Sequence, residues 1–166
     1  MEYLLKDLDF NPHKSTKEFR NNYKLHDLAE TYGNNLLIQW GFNFDEFGKD
    51  NRYEKVWEKG EDKPDLLIEY KNHRALLDWK GKHKPLWIVN KRAVSSYEKW
   101  KLKMKLPVFI CFAVFDVHNM VLDFHFACLG NHGYIVSVKK EWDKNDTIEF
   151  KTDLPVFSKS NILKYL

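Results

Sequence analysis

The sequence predicts a mixed α/β domain: a central mixed β-sheet flanked by helices, in the order helix, three strands, helix, strand, with extra C-terminal strands and a closing helix. Three observations point there. Leu25, Leu28, Tyr32, Leu36 and Trp40 recur at helical spacing ahead of the first strand signals. Two alternating segments, 65–71 and 74–80, surround a turn near Asn72-His73. A basic helical segment at 91–104 leads into LPVFICFAVFD at 106–116, an unbroken apolar run of the kind buried on both faces of a sheet. The 166 residues, 43% hydrophobic and 16% aromatic, suffice for one domain, with a core over about 15–128 and residues 129–166 packed on it as an extension.

The first helix is expected over 15–40. Ser15 with Glu18 three residues later makes a capping box, and Gly41 suits the C-terminal cap. Gly33-Asn34-Asn35 weakens its middle, so two helices are an open reading. FNF at 42–44 starts a strand, and the charged run 45–63 reads as a long loop or polar hairpin. After the 65–80 hairpin, LWIV at 86–89 is a short strand. The 91–104 helix turns Val94, Tyr97 and Met104 inward. Beyond the apolar strand, His118-Asn119 turns the chain into VLDFHFAC at 121–128. GYIVSV and TIEFK are shorter strands, and SNILKYL is a closing helix capped by Ser160.

Composition narrows the class. Net charge is only +3, so overall charge does not mark a nucleic-acid protein. No apolar run reaches the roughly 18 residues of a membrane span, so no membrane partner is expected. MEYLLKDLDF carries acids where a signal peptide carries bases. Cys111 and Cys128 lie in apolar runs without CxxC spacing. A reduced, cytoplasmic chain is expected.

The hairpin carries the chemistry. A two-residue turn pairs residues whose numbers sum to an odd value, and faces alternate along each strand. Leu66, Ile68, Tyr70, Ala75, Leu77 and Trp79 therefore share one face, and Asp65, Leu67, Glu69, Leu76, Asp78 and Lys80 the other. Asp65 falls opposite Asp78 or Lys80, according to register. Two carboxylates held together on rigid strands repel each other, and a hard divalent cation relieves that repulsion. Mg²⁺ takes oxygen ligands and keeps several waters, and it can activate a water against a phosphodiester. A lysine beside it orients or deprotonates that water, or stabilises charge on the phosphate. The plain alternative is the solvated face of an amphipathic hairpin, with Asp78–Lys80 a surface pair. Leu67 and Leu76 on the charged face argue for partial cover instead.

Pro64-Asp65, twelve intervening residues and Asp78-Trp79-Lys80 resemble the PD-(D/E)xK nuclease superfamily. The order of a helix glutamate (Glu30) before Gly41-Phe42, the hairpin, a basic helix and a proline-opened apolar strand (Pro107) is similar to archaeal-type Holliday-junction resolvases over about residues 25–116. The resemblance implies a restriction-endonuclease-like fold with an α-β-β-β-α-β core. It implies that Asp65, Asp78 and the Trp79 carbonyl bind Mg²⁺ (Mn²⁺ substituting), that Lys80 acts on the attacking water, and that Glu30 binds the metal directly or through water. The chain departs from the family in the long 45–63 segment, in Arg92 where relatives often carry glutamine, and in residues 117–166, which extend past the similar region and could serve dimerisation or specificity.

Nine Lys/Arg fall between Lys80 and Lys105, against one acid, Glu98. Such a concentration suits a phosphate backbone. Lys84, Lys91 and Arg92 are the leading contacts, with Lys82 and His83 beside them; a solvated basic helix face is the alternative. Cys111, His125, Cys128 and His132 are weighed as a zinc set and set aside, because their spacing fits no knuckle. The function expected is therefore a Mg²⁺-dependent endodeoxyribonuclease acting on DNA before RNA, with branched DNA as first substrate and a homodimer as one open arrangement. A restriction-type or RNA-cleaving nuclease and a non-catalytic nucleic-acid-binding subunit are the competing readings.

Overall fold

Between Thr16 and Gln39 the chain forms one uninterrupted helix, α1. The computed structural model describes residues 16–48, 62–138, 146–151 and 153–166, with side chains from Tyr23 onward. The Ser15–Glu18 capping box and residues 49–61 of the charged run lie outside the described residues.

Gly33 does not break α1. A Cβ there would sit 2.2 Å from the Trp79 ring, so glycine is what lets the helix lie against that indole. The fully buried stripe is accordingly Leu25, Ala29, Gly33 and Leu37, while the predicted Leu28, Tyr32, Leu36 and Trp40 flank it half-buried. The helix stops as expected. Gly41 has φ 83°, its N–H donates to the Ile38 carbonyl, and the Phe42 N–H donates to the Leu37 carbonyl. That is the Schellman pattern, which satisfies orphan carbonyls at the helix end.

Strand β1 is Asn43–Glu46, β2 Leu66–Tyr70 and β3 His73–Lys82. The β2–β3 turn is Lys71-Asn72, one residue earlier than expected. Both residues have positive φ (47° and 67°), the requirement of a tight turn that matches strand twist. β4 (Ile88–Asn90) leads directly into helix α2 (Lys91–Met104), which ends with Lys105 in the left-handed conformation. Strand β5 (Val108–Phe115) is buried at every position. Asn119, with φ 63°, turns it into β6 (Val121–Cys128). β7 (Tyr134–Val138), β8 (Asp146–Phe150) and a short helix, α3 (Lys159–Leu163), complete the described chain. Ser158, not Ser160, caps α3: its hydroxyl accepts the Asn161 N–H at 3.2 Å. The helix starts one residue after Ser158, which puts Ser160 inside it.

Five strands form a mixed sheet in the order β1-β2-β3-β5-β6, with β3 and β5 parallel and the other neighbours antiparallel. The LWIV strand does not join it. β4 pairs with β8 in a separate three-stranded sheet, β4-β8-β7. Physical necessity favours this arrangement, because β5 is apolar on both faces and needs the central place beside β3 that β4 would otherwise take. Two cores result. On one face α1, Phe157 and Ile162 cover Trp79, Leu77, Phe109 and Cys111. On the other, Val94 and Tyr97 of α2, with Ile148 and Phe150 of β8, cover Leu76, Ile110 and Phe112. No helix among the described residues is long and apolar enough to cross a membrane.

Candidate active site

The Lys71-Asn72 turn settles the register: Leu66 pairs with Leu77 and Leu67 with Leu76. Continued by one step, that register puts Asp65 opposite Asp78 rather than Lys80. β2 begins at Leu66, so beyond Leu77 the β2-facing edge of β3 has no strand partner. Its exposed backbone groups are taken by side chains. The Trp79 N–H donates to Asp65 Oδ2 at 2.8 Å. The Trp79 carbonyl lies 3.3 Å from His26 Nδ1, reaching over from α1.

Alternation puts Trp79 in the α1-side core and Asp78 and Lys80 on the α2 side. Asp78 is 2% exposed. Lys80 Nζ lies 3.0 Å from Asp78 Oδ2, yet that oxygen is a buried atom without a hydrogen bond of acceptable geometry. Close charge without alignment holds Coulomb attraction and leaves a lone pair open. Burial and the Asp78 charge push the Asp65 carboxyl well above its usual range, against the Trp79 amide and Lys80, and a hydrogen bond with Asp78 adds to the rise. Burial alone would lower Lys80, but Asp78, Asp65 and Asp62 outweigh it and keep the ammonium charged.

Glu30 is on α1, across the sheet from Asp78 and Lys80. Its carboxylate is 48% exposed and lies 3.7 Å from His26 Nε2, so His26 stands between it and the Trp79 carbonyl. Lys82 donates to the Ile88 carbonyl at 2.7 Å, which turns one of its donors inward. His83, Lys84, Lys91 and Arg92 are exposed. The zinc set does not converge. Cys111 faces the α1 core, whereas His125 is on the opposite face, tilted against Trp87 with ring centroids 5.2 Å apart and more buried than a surface histidine. His132 Nδ1 accepts the Cys128 N–H.

Two residues escaped the sequence reading. His26 sits four residues before Glu30, on the same side of the helix, a spacing that was visible. Asp62 was absorbed into the charged run, although it stands three residues before Asp65. It is buried, its side chain meets Arg92 (Nε to Oδ2, 3.5 Å), and its carbonyl accepts the Trp100 indole N–H at 3.2 Å. Tyr97 lines the same side. Burial, then Asp78, Asp65 and Asp62, push its phenol well above the usual range.

Among the described residues no three His, Cys, Asp or Glu side chains form a ready-made metal cage. The pair nevertheless fits a Mg²⁺-type ion. Such ions bind through one or two carboxylates and complete their shell with water and substrate phosphates, and Asp78 Oδ2 is a buried acceptor left open for one.

Compared by sequence, the chain matches no protein-family model and no curated protein. Compared by fold, it matches solved structures. Among them is Archaeoglobus fulgidus Hjc, a Holliday junction resolvase from an archaeal hyperthermophile, with a TM-score of 0.50 and 10% identity over 83% of this chain and 97% of that one. The likeness shows the fold, a mixed central sheet flanked by helices, and it is consistent with the restriction-endonuclease-like class expected from the sequence.

Proposed function

We propose that this chain is a single-domain, metal-dependent endonuclease of the PD-(D/E)xK kind that hydrolyses DNA phosphodiesters, with branched DNA as the first substrate. The observation that carries this reading is the acid pair Asp65–Asp78 beside Lys80, with a buried carboxylate oxygen left open where β2 ends. Asp65 and Asp78 would hold Mg²⁺ or Mn²⁺, with the Trp79 carbonyl at the same strand edge and Glu30 reaching it through the His26 side. A bound divalent cation supplies Lewis-acid polarisation of the phosphate and a water of lowered pKa.

The remaining work falls to the chain. Asp65 anchors the β3 edge by accepting the Trp79 amide, which keeps the two carboxylates on rigid strands. Lys80, held protonated by its acid neighbours, donates to the phosphate and opposes the negative charge that develops there. That role suits it better than proton abstraction. Lys84, Lys91 and Arg92, exposed around the start of α2, extend the cationic surface along which a backbone would lie.

A second reading, a non-catalytic nucleic-acid-binding subunit, draws on the lack of a third clustered ligand among the described residues. One experiment separates the two. Duplex, single-stranded, flapped and four-way DNA, and RNA, are incubated with protein and Mg²⁺ or Mn²⁺, with Asp78→Ala alongside. The nuclease reading expects cleavage by the wild type and a loss of 10²-fold or more in the variant, with binding largely kept. No cleavage of any substrate with either metal sinks it.

A further inference from the structure

Asp62 is a buried acid that the site described above does not use, and its surroundings give it a task. Its backbone is pinned to α2 by the Trp100 indole at 3.2 Å, and its carboxylate faces Arg92 at 3.5 Å. Arg92 is itself 61% exposed, so most of its five donors remain in solvent. The contact uses Nε, one edge of the planar fork, which leaves the terminal nitrogens for a second acceptor. The α2 end from which Arg92 projects has no acid in its first turn, and Asn90 makes no side-chain cap there. Unopposed amides and Lys91 therefore add to an anion-favouring end. Asp62 also stands three residues before Asp65, so the chain keeps it within about 11 Å of the acid pair.

We infer that Asp62 is a positioning residue: it orients the Arg92 guanidinium at the mouth of the Asp65–Asp78 site, where Arg92 grips a phosphate of the nucleic-acid backbone. This rests on the nuclease reading above and adds a residue to it. The geometry also predicts a sign. A carboxylate near a phosphate that did nothing but repel it would, when neutralised, let nucleic acid bind more tightly. A carboxylate that orients the gripping arginine would, when neutralised, weaken binding.

The test measures binding of fluorescein-labelled duplex and four-way DNA by anisotropy in EDTA, so that no metal-dependent turnover intervenes. Titrations are run at about 50 and about 200 mM salt, where phosphate contacts show as slope. Arg92→Ala is expected to weaken binding roughly tenfold and to flatten the salt slope by about one contact. Asp62→Asn, near-isosteric, is expected to weaken binding too, and the double variant to bind no worse than Arg92→Ala alone, because Asp62 acts through Arg92. Tighter binding by Asp62→Asn, or additive losses in the double variant, overturns the inference. Should Asp62→Asn fail to fold, exposed Arg92→Lys keeps the question open to decision: the ammonium cannot serve carboxylate and phosphate as a fork, so most of the alanine loss is expected, and wild-type affinity in Arg92→Lys overturns the proposal. Failure here is distinct from failure of the nuclease reading. A wild type that cuts DNA, is silenced by Asp78→Ala and binds more tightly as Asp62→Asn leaves the enzyme standing and Asp62 without this role. A wild type that neither binds nor cuts nucleic acid removes both.

Discussion

Replacing Gly81 with alanine tests whether α1 is clamped onto β3, the strand that carries the proposed site. Gly81 lies one residue past Lys80 on β3, and a Cβ there would stand 2.1 Å from the Leu25 carbonyl oxygen and 2.3 Å from its carbon. Both are backbone atoms, so no side-chain rotation relieves the clash; helix and strand must part by about 1.3 Å to reach ordinary contact. Overpacking of this kind costs about 1–3 kcal/mol, and the small gain from replacing glycine within a strand offsets little of it. The separation falls where His26 meets the Trp79 carbonyl at 3.3 Å, and one further ångström breaks that contact. Displacements of that size in a catalytic constellation can cost on the order of 10²-fold in rate. Urea unfolding gives the first number, and cleavage of whichever substrate the wild type cuts gives the second. Gly133→Ala is the matched control, since the nearest atom to its Cβ is the end of Lys151 at 3.8 Å, and it should lie within about 0.5 kcal/mol of wild type. Gly81→Ala protein with wild-type stability and wild-type cleavage would refute the clamp.

Other consequences follow from the electrostatics of the same region. Asp65 holds its proton to higher pH in the folded state than in the unfolded chain, where it titrates near about 4, so the native state binds more protons across that interval. Metal-free stability should therefore fall as pH rises from the unfolded carboxylate range through the folded one; urea titrations should show this slope, and Asp65→Asn should reduce it. Burial pushes the Cys128 thiol up to about 11 and Cys111 well above its usual range. Both should resist a thiol reagent such as DTNB in native protein and react promptly once unfolded; fast native labelling would contradict their placement.

How far the sequence carries depends on whether a feature is local. The acid-bearing face of the hairpin was legible, because strand alternation and turn arithmetic are properties of a dozen contiguous residues. Its register was not, since Asn72-His73 and Lys71-Asn72 look equally turn-like until twist selects the pair with positive φ. Gly33 looked like a helix breaker and is a contact residue, a distinction that depends on Trp79, forty-six positions away. LWIV reads as a short strand with nothing local to say which sheet takes it, and only the pairing of β4 with β8, far along the chain, decides that. Asp62 was hidden for a different reason. Among so many neighbouring charges, nothing in the string marks the one that folding buries.

Charge balance ties these residues together. Asp62, Asp65 and Asp78 lie around one end of β3 with Lys80 and Arg92 as their cations. Three ionised carboxylates against two cations leave the cluster one unit negative, and burial with the Asp78 charge pushes the Asp65 carboxyl upward, which works against that excess. The arrangement is still costly, since buried charge clusters are often no more stable than apolar replacements and Asp78 keeps an open oxygen. Such a cost is hard to explain as scaffolding and is typical of a site built to bind. A divalent cation bound to the ionised cluster would leave it one unit positive, the complement of a single phosphodiester. On the nuclease reading, then, the cluster favours the substrate's charge only once a divalent cation is in place, and nucleic acid should bind the wild type more tightly with Ca²⁺, an oxygen-seeking divalent ion of looser geometry than Mg²⁺, than in EDTA; equal affinity in the two would refute the charge argument.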